Sequence, residues 1–281
     1  MPLGSPPSPN RMLPPNSFKN SVVMVVTTGH WLSQEIAASF ASYGAAVVIA
    51  GKDSKHCEAA AAELAAANTE AFAIGFDPAD PDSVADCFET LEQRLGGVGV
   101  LINPFSEGSE VPAEQMSPAR WHEVTDTLLD GSLFCAQELA RRRIDDDAGA
   151  AIVNFATPFS VTGGAGLTPW ETAKAGLSHL TKSLAVEWAP YNIRVNAVAP
   201  GQLEARGSRS NAEIAATLSA GRCCQAADVC ACVLYACTPF AAYLTGHTFD
   251  IDGASWQRQG RLPPKFESIR SRYERTIPPP E

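Results

Sequence analysis

Short apolar, β-branched runs alternate with longer segments of helical periodicity along nearly the whole chain. That alternation constrains the fold more than any other feature. SVVMVVT (21–27) precedes LSQEIAASFASYG, whose apolar residues recur at helical spacing up to Gly44. AAVVIAG, EAFAIGF, VGVLIN, AAIVNFA, NIRVNAVA and HTFDID repeat the strand pattern. The segments between them read as helices. Asp80-Pro81 supplies an N-cap and first helical residue for a helix reaching Gly96. Ser117-Pro118 opens a long helix running through LARRR. A further helix runs from Pro169 to about Ala189, and another covers ADVCACVLYAC after a looser segment. Strands apolar on both faces belong to a parallel sheet covered by helices on each side. The pattern predicts one α/β domain over 20–257: a single Rossmann-like doubly wound parallel sheet of about seven strands.

The flanks differ in composition. Residues 1–19 form a proline-rich stretch, read as a flexible tail without the apolar core of a signal peptide. Residues 258–281 form a charged, proline-ended C-terminal tail. The net charge of -10 argues against nucleic acid and anionic membrane surfaces as partners. No apolar run approaches the roughly 20 residues of a membrane span. The eight cysteines form no CxxC pair and no zinc spacing, so no metal is expected, and they read as small hydrophobes of a reduced, cytoplasmic protein.

The stretch AKAGLSHLTKSLAVEWAPYNIRVNAVAPG (173–201), with LINP, IVNFAT and YLTGHTFDIDGA, resembles the short-chain dehydrogenase/reductase superfamily over about 235 residues. GASW and LPPKF resemble its dienoyl-CoA reductase branch. The resemblance implies NAD(P)H held by a TGxxxGxG loop and chemistry by an Asn-Ser-Tyr-Lys set. In that set the tyrosine exchanges the substrate hydroxyl proton, its pKa lowered from about 10 by the lysine.

Position by position, this chain departs from that pattern. In VTTGHWLS (26–33) the three glycines fall at Thr27, Trp31 and Ser33, and only Gly29 remains nearby. Trp31 places an indole where pyrophosphate would meet backbone N–H groups. Two readings stand for His30 and Trp31: packing residues that fill the crevice, or a remodelled ligand site using indole and imidazole. The ribose-binding acid falls at Gly51, followed by Lys52, as in NADP-preferring members. Asp77 aligns with the adenine-contacting aspartate and also fits an ordinary Asp-Pro turn. After the fourth strand NPFS keeps Asn103, while Pro104 removes a backbone donor.

Trp170 stands at the tyrosine position, and Lys174 is retained. No tyrosine in the chain is followed four residues on by lysine. An indole N–H donates but does not ionise usefully. The serine position is Thr157, which can still orient a carbonyl. The asparagine position is Leu128, which holds no water. TPWE also reads structurally: Thr168 as N-cap, Pro169 as first residue, Glu171 completing a capping box. Trp170 then heads an apolar stripe with Ala173, Leu177, Leu180, Leu184 and Trp188.

Three functions fit. The first is a non-catalytic subunit that binds no cofactor and pairs with itself or with an intact paralogue, through the helices at 117–143 and 169–189 that form the superfamily's subunit interface. The second is a repurposed enzyme with a small-molecule ligand, using Thr157, Lys174, Trp170 and His30. The third is an enoyl or dienoyl reductase that uses NADP(H) without the tyrosine, with Gly29, Lys52, Asp77 and Asn103 toward the cofactor.

Overall fold

A computed structural model describes residues 12–67, 69–104, 111–158, 166–204 and 211–255. The end of the alanine-rich helix at Asn68, the second half of the NPFS motif, the GASW tryptophan and the C-terminal tail lie outside the described residues, as does the first part of the N-terminal tail. The strands are β1 (Val22–Val26), β2 (Ala46–Gly51), β3 (Ala71–Gly75), β4 (Val100–Asn103), β5 (Ala150–Phe155), β6 (Ile193–Pro200) and β7 (Thr248–Ile251). They form one sheet in the order β3-β2-β1-β4-β5-β6-β7, with every pair parallel. The order reverses between β1 and β4, so a crevice opens at the C-terminal ends of those strands.

The helices are α1 (Trp31–Ala41), α2 (Ser54–Ala65), α3 (Pro81–Leu95), α4 (Pro118–Thr125), α5 (Gly131–Asp145), α6 (Thr168–Trp188), α7 (Asn211–Thr217) and α8 (Ala226–Cys237). α3 starts and stops as its sequence requires. Asp80 accepts from the Asp82 N–H, Pro81 takes the first position, and Gly96 ends the helix at φ 79°. The alternation of β1 divides the core. Val23 and Val25 face one hydrophobic cluster with Ile36, Phe40 and Val233. Met24 and Val26 face another with Phe88, Leu139 and Trp188. Seven of the eight cysteines are buried and all are free thiols. Among the described residues no helix is long and apolar enough to cross a membrane.

Three local expectations need correction. The helix expected from Ser117 through LARRR is two helices, α4 and α5, joined by a π-helical turn at Asp126–Asp130. Such turns insert one residue into the hydrogen-bond ladder and recur at functional sites. Leu128 lies on this turn, 1% exposed. α6 begins one residue early, with Leu167 at the N-cap and no side-chain cap bond there, so Thr168 is the first helical residue rather than the cap. The segment after β6 contains the short helix α7.

Within the stretch read as a proline-rich tail, Leu13 and Phe18 contact the domain while most of residues 12–20 are exposed. The Tyr43 hydroxyl accepts from the Met12 and Leu13 N–H groups at 2.8 and 2.9 Å. Phe18 is buried edge-on against Phe40, with ring centroids 4.8 Å apart. Phe18→Ala is therefore expected to lower unfolding stability by about 3 kcal/mol. A fall in the urea midpoint at unchanged slope is the readout, and an unshifted midpoint would place Phe18 outside the cooperative fold.

Candidate active-site crevice

Two cavities flank the segment that joins β1 to α1. The larger, about 610 Å³, sits over the ends of β1, β2 and β3 and is lined by Thr27, Lys52, Ser54, Lys55 and Asp77. The smaller, about 300 Å³, sits over the ends of β4, β5 and β6 and is lined by Leu32, Phe155, Thr157, Trp170 and Lys174. Gly29, His30 and Trp31 line neither cavity. The doubly wound topology places all of these residues at strand ends although they are far apart in sequence.

The β1–α1 turn is closed by its own side chains. Thr27 is buried and its hydroxyl accepts from the Gly29 N–H at 3.0 Å. Gly29 takes φ 98°, a left-handed conformation that glycine adopts without strain. His30 is the N-cap of α1, and its Nδ1 accepts from the Leu32 N–H at 3.3 Å. Burial lowers the His30 pKa, and the nearby Lys174 charge lowers it further. A neutral imidazole keeps the acceptor lone pair that this cap requires. Trp31 is the first residue of α1 and packs, partly buried, against the hydrophobic cluster shared with α8. Its ring stands 5.4 Å from that of His30. The imidazole and the indole are thus accommodated as capping and packing groups at the helix N-terminus.

In the larger cavity, Lys52 and Asp77 contact each other at 2.6 Å. Burial raises the Asp77 pKa, but hydrogen bonds from Lys52 and the Ala79 N–H outweigh it and the net shift is downward. Lys52 is largely exposed, so this ion pair adds little stability and is easily exchanged for another anion. Gly51 has a steric cause: a Cβ there would collide with the Thr27 carbonyl oxygen. No ribose-binding carboxylate fits at that position without moving the β1 turn. Asn103 is fully buried and donates to the Asn154 Oδ1 at 3.0 Å, and Asn154 donates to the Thr181 hydroxyl at 3.1 Å. This polar ladder ties β4, β5 and α6 together inside the protein.

The smaller cavity brings together three residues singled out from the sequence: Thr157, Trp170 and Lys174. Lys174 is only 2% exposed and donates from Nζ to the Phe155 carbonyl at 2.6 Å. Its amine lies 5.9 Å from the Trp170 ring centroid, at the outer limit of a cation–π contact. Burial pushes the Lys174 pKa down to about 7. Trp170 packs against the hydrophobic cluster that contains Leu128 and Val124, and its Nε1 is buried with no hydrogen-bond partner. Where a tyrosine and an asparagine would form a proton relay, an indole and a leucine share an apolar wall. Leu32, Gln202 and Leu203 of this cavity, and Thr28, Lys55 and Thr127 of the other, were not singled out beforehand. Thr28, Leu32, Lys55, Gln202 and Leu203 lie just after strand ends or in the helix turns that follow them, whereas Thr127 comes from the π turn and carries no such signal.

The dinucleotide of this fold fits only in part. The larger cavity carries Lys52 and Lys55 beside Asp53 and Asp77, with no acid at Gly51. The pyrophosphate position does not fit, because His30 occupies the Leu32 N–H and Trp31 starts the helix.

Comparison with known proteins agrees with the fold. Residues 30–254 match the family model described as enoyl-(acyl carrier protein) reductase. A probable 2,4-dienoyl-CoA reductase of Bacillus subtilis is 28% identical over 248 residues, covering 85% of this chain and 98% of that protein. The crystal structure of a short chain dehydrogenase from Bacillus anthracis superposes with a TM-score of 0.79 at 28% identity, covering 86% of this chain and 99% of that one. A gluconate 5-dehydrogenase from Burkholderia cenocepacia, solved in complex with NADP and tartrate, shares the fold at a TM-score of 0.80 and 23% identity, covering 89% and 98%.

Two consequences are measurable. Gly51→Ala is expected to destabilise the fold by about 2 kcal/mol through overpacking against the Thr27 backbone, read by urea denaturation. Lys174 predicts a pH dependence. The unfolded chain keeps this proton up to about 10.5, whereas the folded chain releases it near 7. Between those values the unfolded state binds more protons, so stability rises with pH; below about 7 both states are protonated and the burial penalty is complete. From pH 7 to 9 the wild-type protein should gain stability relative to Lys174→Met. Parallel profiles for the two proteins would contradict a depressed Lys174.

Proposed function

Because the chain belongs to the short-chain dehydrogenase/reductase superfamily, we propose that it is a subunit of that fold in which tyrosine-dependent hydride transfer has been given up. It serves as a non-catalytic or repurposed member, assembled with further copies of itself or with an intact paralogue. The observation that carries this reading is Trp170: a side chain without a usable ionisation stands at the tyrosine position, with its N–H buried. Leu128 on the π turn and the His30 cap at the helix N-terminus support it. Both remove polar groups that hydride transfer at this crevice needs.

The relatives favour a second reading, a tyrosine-independent enoyl or dienoyl reductase that uses NADPH. The family model and the B. subtilis relative carry those substrates in their descriptions. The larger cavity offers Lys52 and Lys55 for a 2′-phosphate. In this reading Lys174 positions the cofactor's nicotinamide ribose.

Calorimetric titration with NADPH separates the two. The first reading expects no saturable heat up to about 1 mM, the upper end of ordinary substrate-level affinity. It also expects that His30→Gly combined with Trp31→Gly gains binding. Micromolar binding by the unaltered protein would overturn it in favour of the reductase.

A further inference from the structure

The group in this crevice that the lost reaction leaves without a task is the Lys174 amine. We propose that Lys174 captures the carbonyl carbon of a small, apolar aldehyde or ketone as a Schiff base, within the cavity at the C-terminal ends of β4, β5 and β6. The inference rests on the reading that the crevice no longer performs hydride transfer, and it names the substrate class the cavity would take instead.

The geometry supports each requirement of that chemistry. The cavity of about 300 Å³ is at the lower end of ligand-site volumes, matched to a small molecule. Its wall is mainly apolar, from Leu32, Pro104, Phe155 and Leu203, with polar groups at Thr157 and Gln202. Such a lining selects an apolar body with one polar end. Lys174 sits on the second turn of a 21-residue helix, and its hydrogen bond to the Phe155 carbonyl holds Nζ at the cavity wall. That carbonyl accepts equally from an amine or from a protonated imine, so it remains a partner throughout.

The amine must be neutral to attack. Desolvation is the cause that holds it near neutrality, to about 7. An ordinary lysine at pH 7 is unprotonated in only about one molecule in three thousand. His30, at the N-terminus of α1, is the titratable group whose pKa responds to the Lys174 charge, and it is held neutral. Trp170 and Leu32 add apolar surface beside it, and among the described residues lining the cavity there is no carboxylate.

The step balances without a redox partner. The Nζ lone pair forms the C–N bond as the carbonyl π bond opens onto oxygen. A proton from Nζ passes to that oxygen, giving a carbinolamine. The carbinolamine hydroxyl takes a second proton from solvent and leaves as water as the C–O bond breaks, while the nitrogen lone pair closes the C=N bond to a protonated imine, whose N–H proton can later return to solvent. The Thr157 hydroxyl, on the same cavity wall, is placed to donate to the oxygen as charge builds on it.

The test uses the full chain with benzaldehyde at pH 7 and sodium cyanoborohydride, which reduces the imine to a stable secondary amine. Intact mass is expected to rise by the mass of the aldehyde less one oxygen. Peptide mapping is expected to place the adduct on Lys174, at least tenfold faster than on the exposed Lys52. Lys174→Arg and Lys174→Met, each checked for folding by circular dichroism, should lose that adduct while Lys52 labelling stays unchanged. Labelling confined to exposed lysines, with Lys174 unmodified in the folded protein, overturns the proposal. NADPH titration of the same sample keeps the two ideas apart. Binding of NADPH together with Lys174 labelling sinks only the reading of lost hydride transfer. No NADPH binding and no Lys174 labelling sinks only the Schiff base.

Discussion

Covering a parallel sheet with helices on both faces leaves the strands themselves open to water and ligands only at the rims formed by their ends. Every residue discussed above depends on that constraint. Val23, Val25, Met24 and Val26 are fully buried and alternate between the two cores. The chain then emerges at Thr27, and chemistry begins there. The reversal of strand order between β1 and β4 separates the loops of the two halves and opens the crevice.

Within this frame apolar contacts dominate one side of the crevice, at Trp170 and Leu128. An indole at Trp170 and an aliphatic side chain at Leu128 belong to one hydrophobic surface, where a phenol and an amide would have formed a hydrogen-bonded chain. The two replacements suit each other. An isolated asparagine against an indole would be left with unsatisfied polar atoms, at a cost of about 1–3 kcal/mol. The same logic applies at the start of α1, where the His30 imidazole satisfies a backbone N–H that a phosphate would otherwise take. Lys174 is the exception. It stays buried with its hydrogen bond to Phe155, and removal from water rather than a neighbouring cation sets its protonation.

The sequence made much of this legible. Strand positions followed from apolar runs, and the start and stop of α3 followed from Asp80, Pro81 and Gly96. The replacement of tyrosine by Trp170 was visible because α6 and β6 keep a distinctive stretch at fixed spacing from it. Other features were hidden. The π turn at 126–130 leaves no mark on periodicity, since one inserted residue shifts the ladder without removing a hydrophobic position. Lys52 and Asp77 read as two separate contacts, because nothing along the chain says that the ends of β2 and β3 lie side by side.

Sequence alone determined the element order, the two-faced burial of the sheet, and that a tryptophan, not a tyrosine, stands four residues before Lys174. Those are properties of residue type and local period. Only the tertiary structure decided that Gly51 must lack a side chain, that His30 caps the helix Trp31 begins, and that Lys174 is dry. Each of those depends on how close separate segments come: β2 to the β1 turn, imidazole to helix N-terminus, α6 to the end of β5. Distances between segments remote in sequence are set by packing, and packing also fixes how much water a charge keeps.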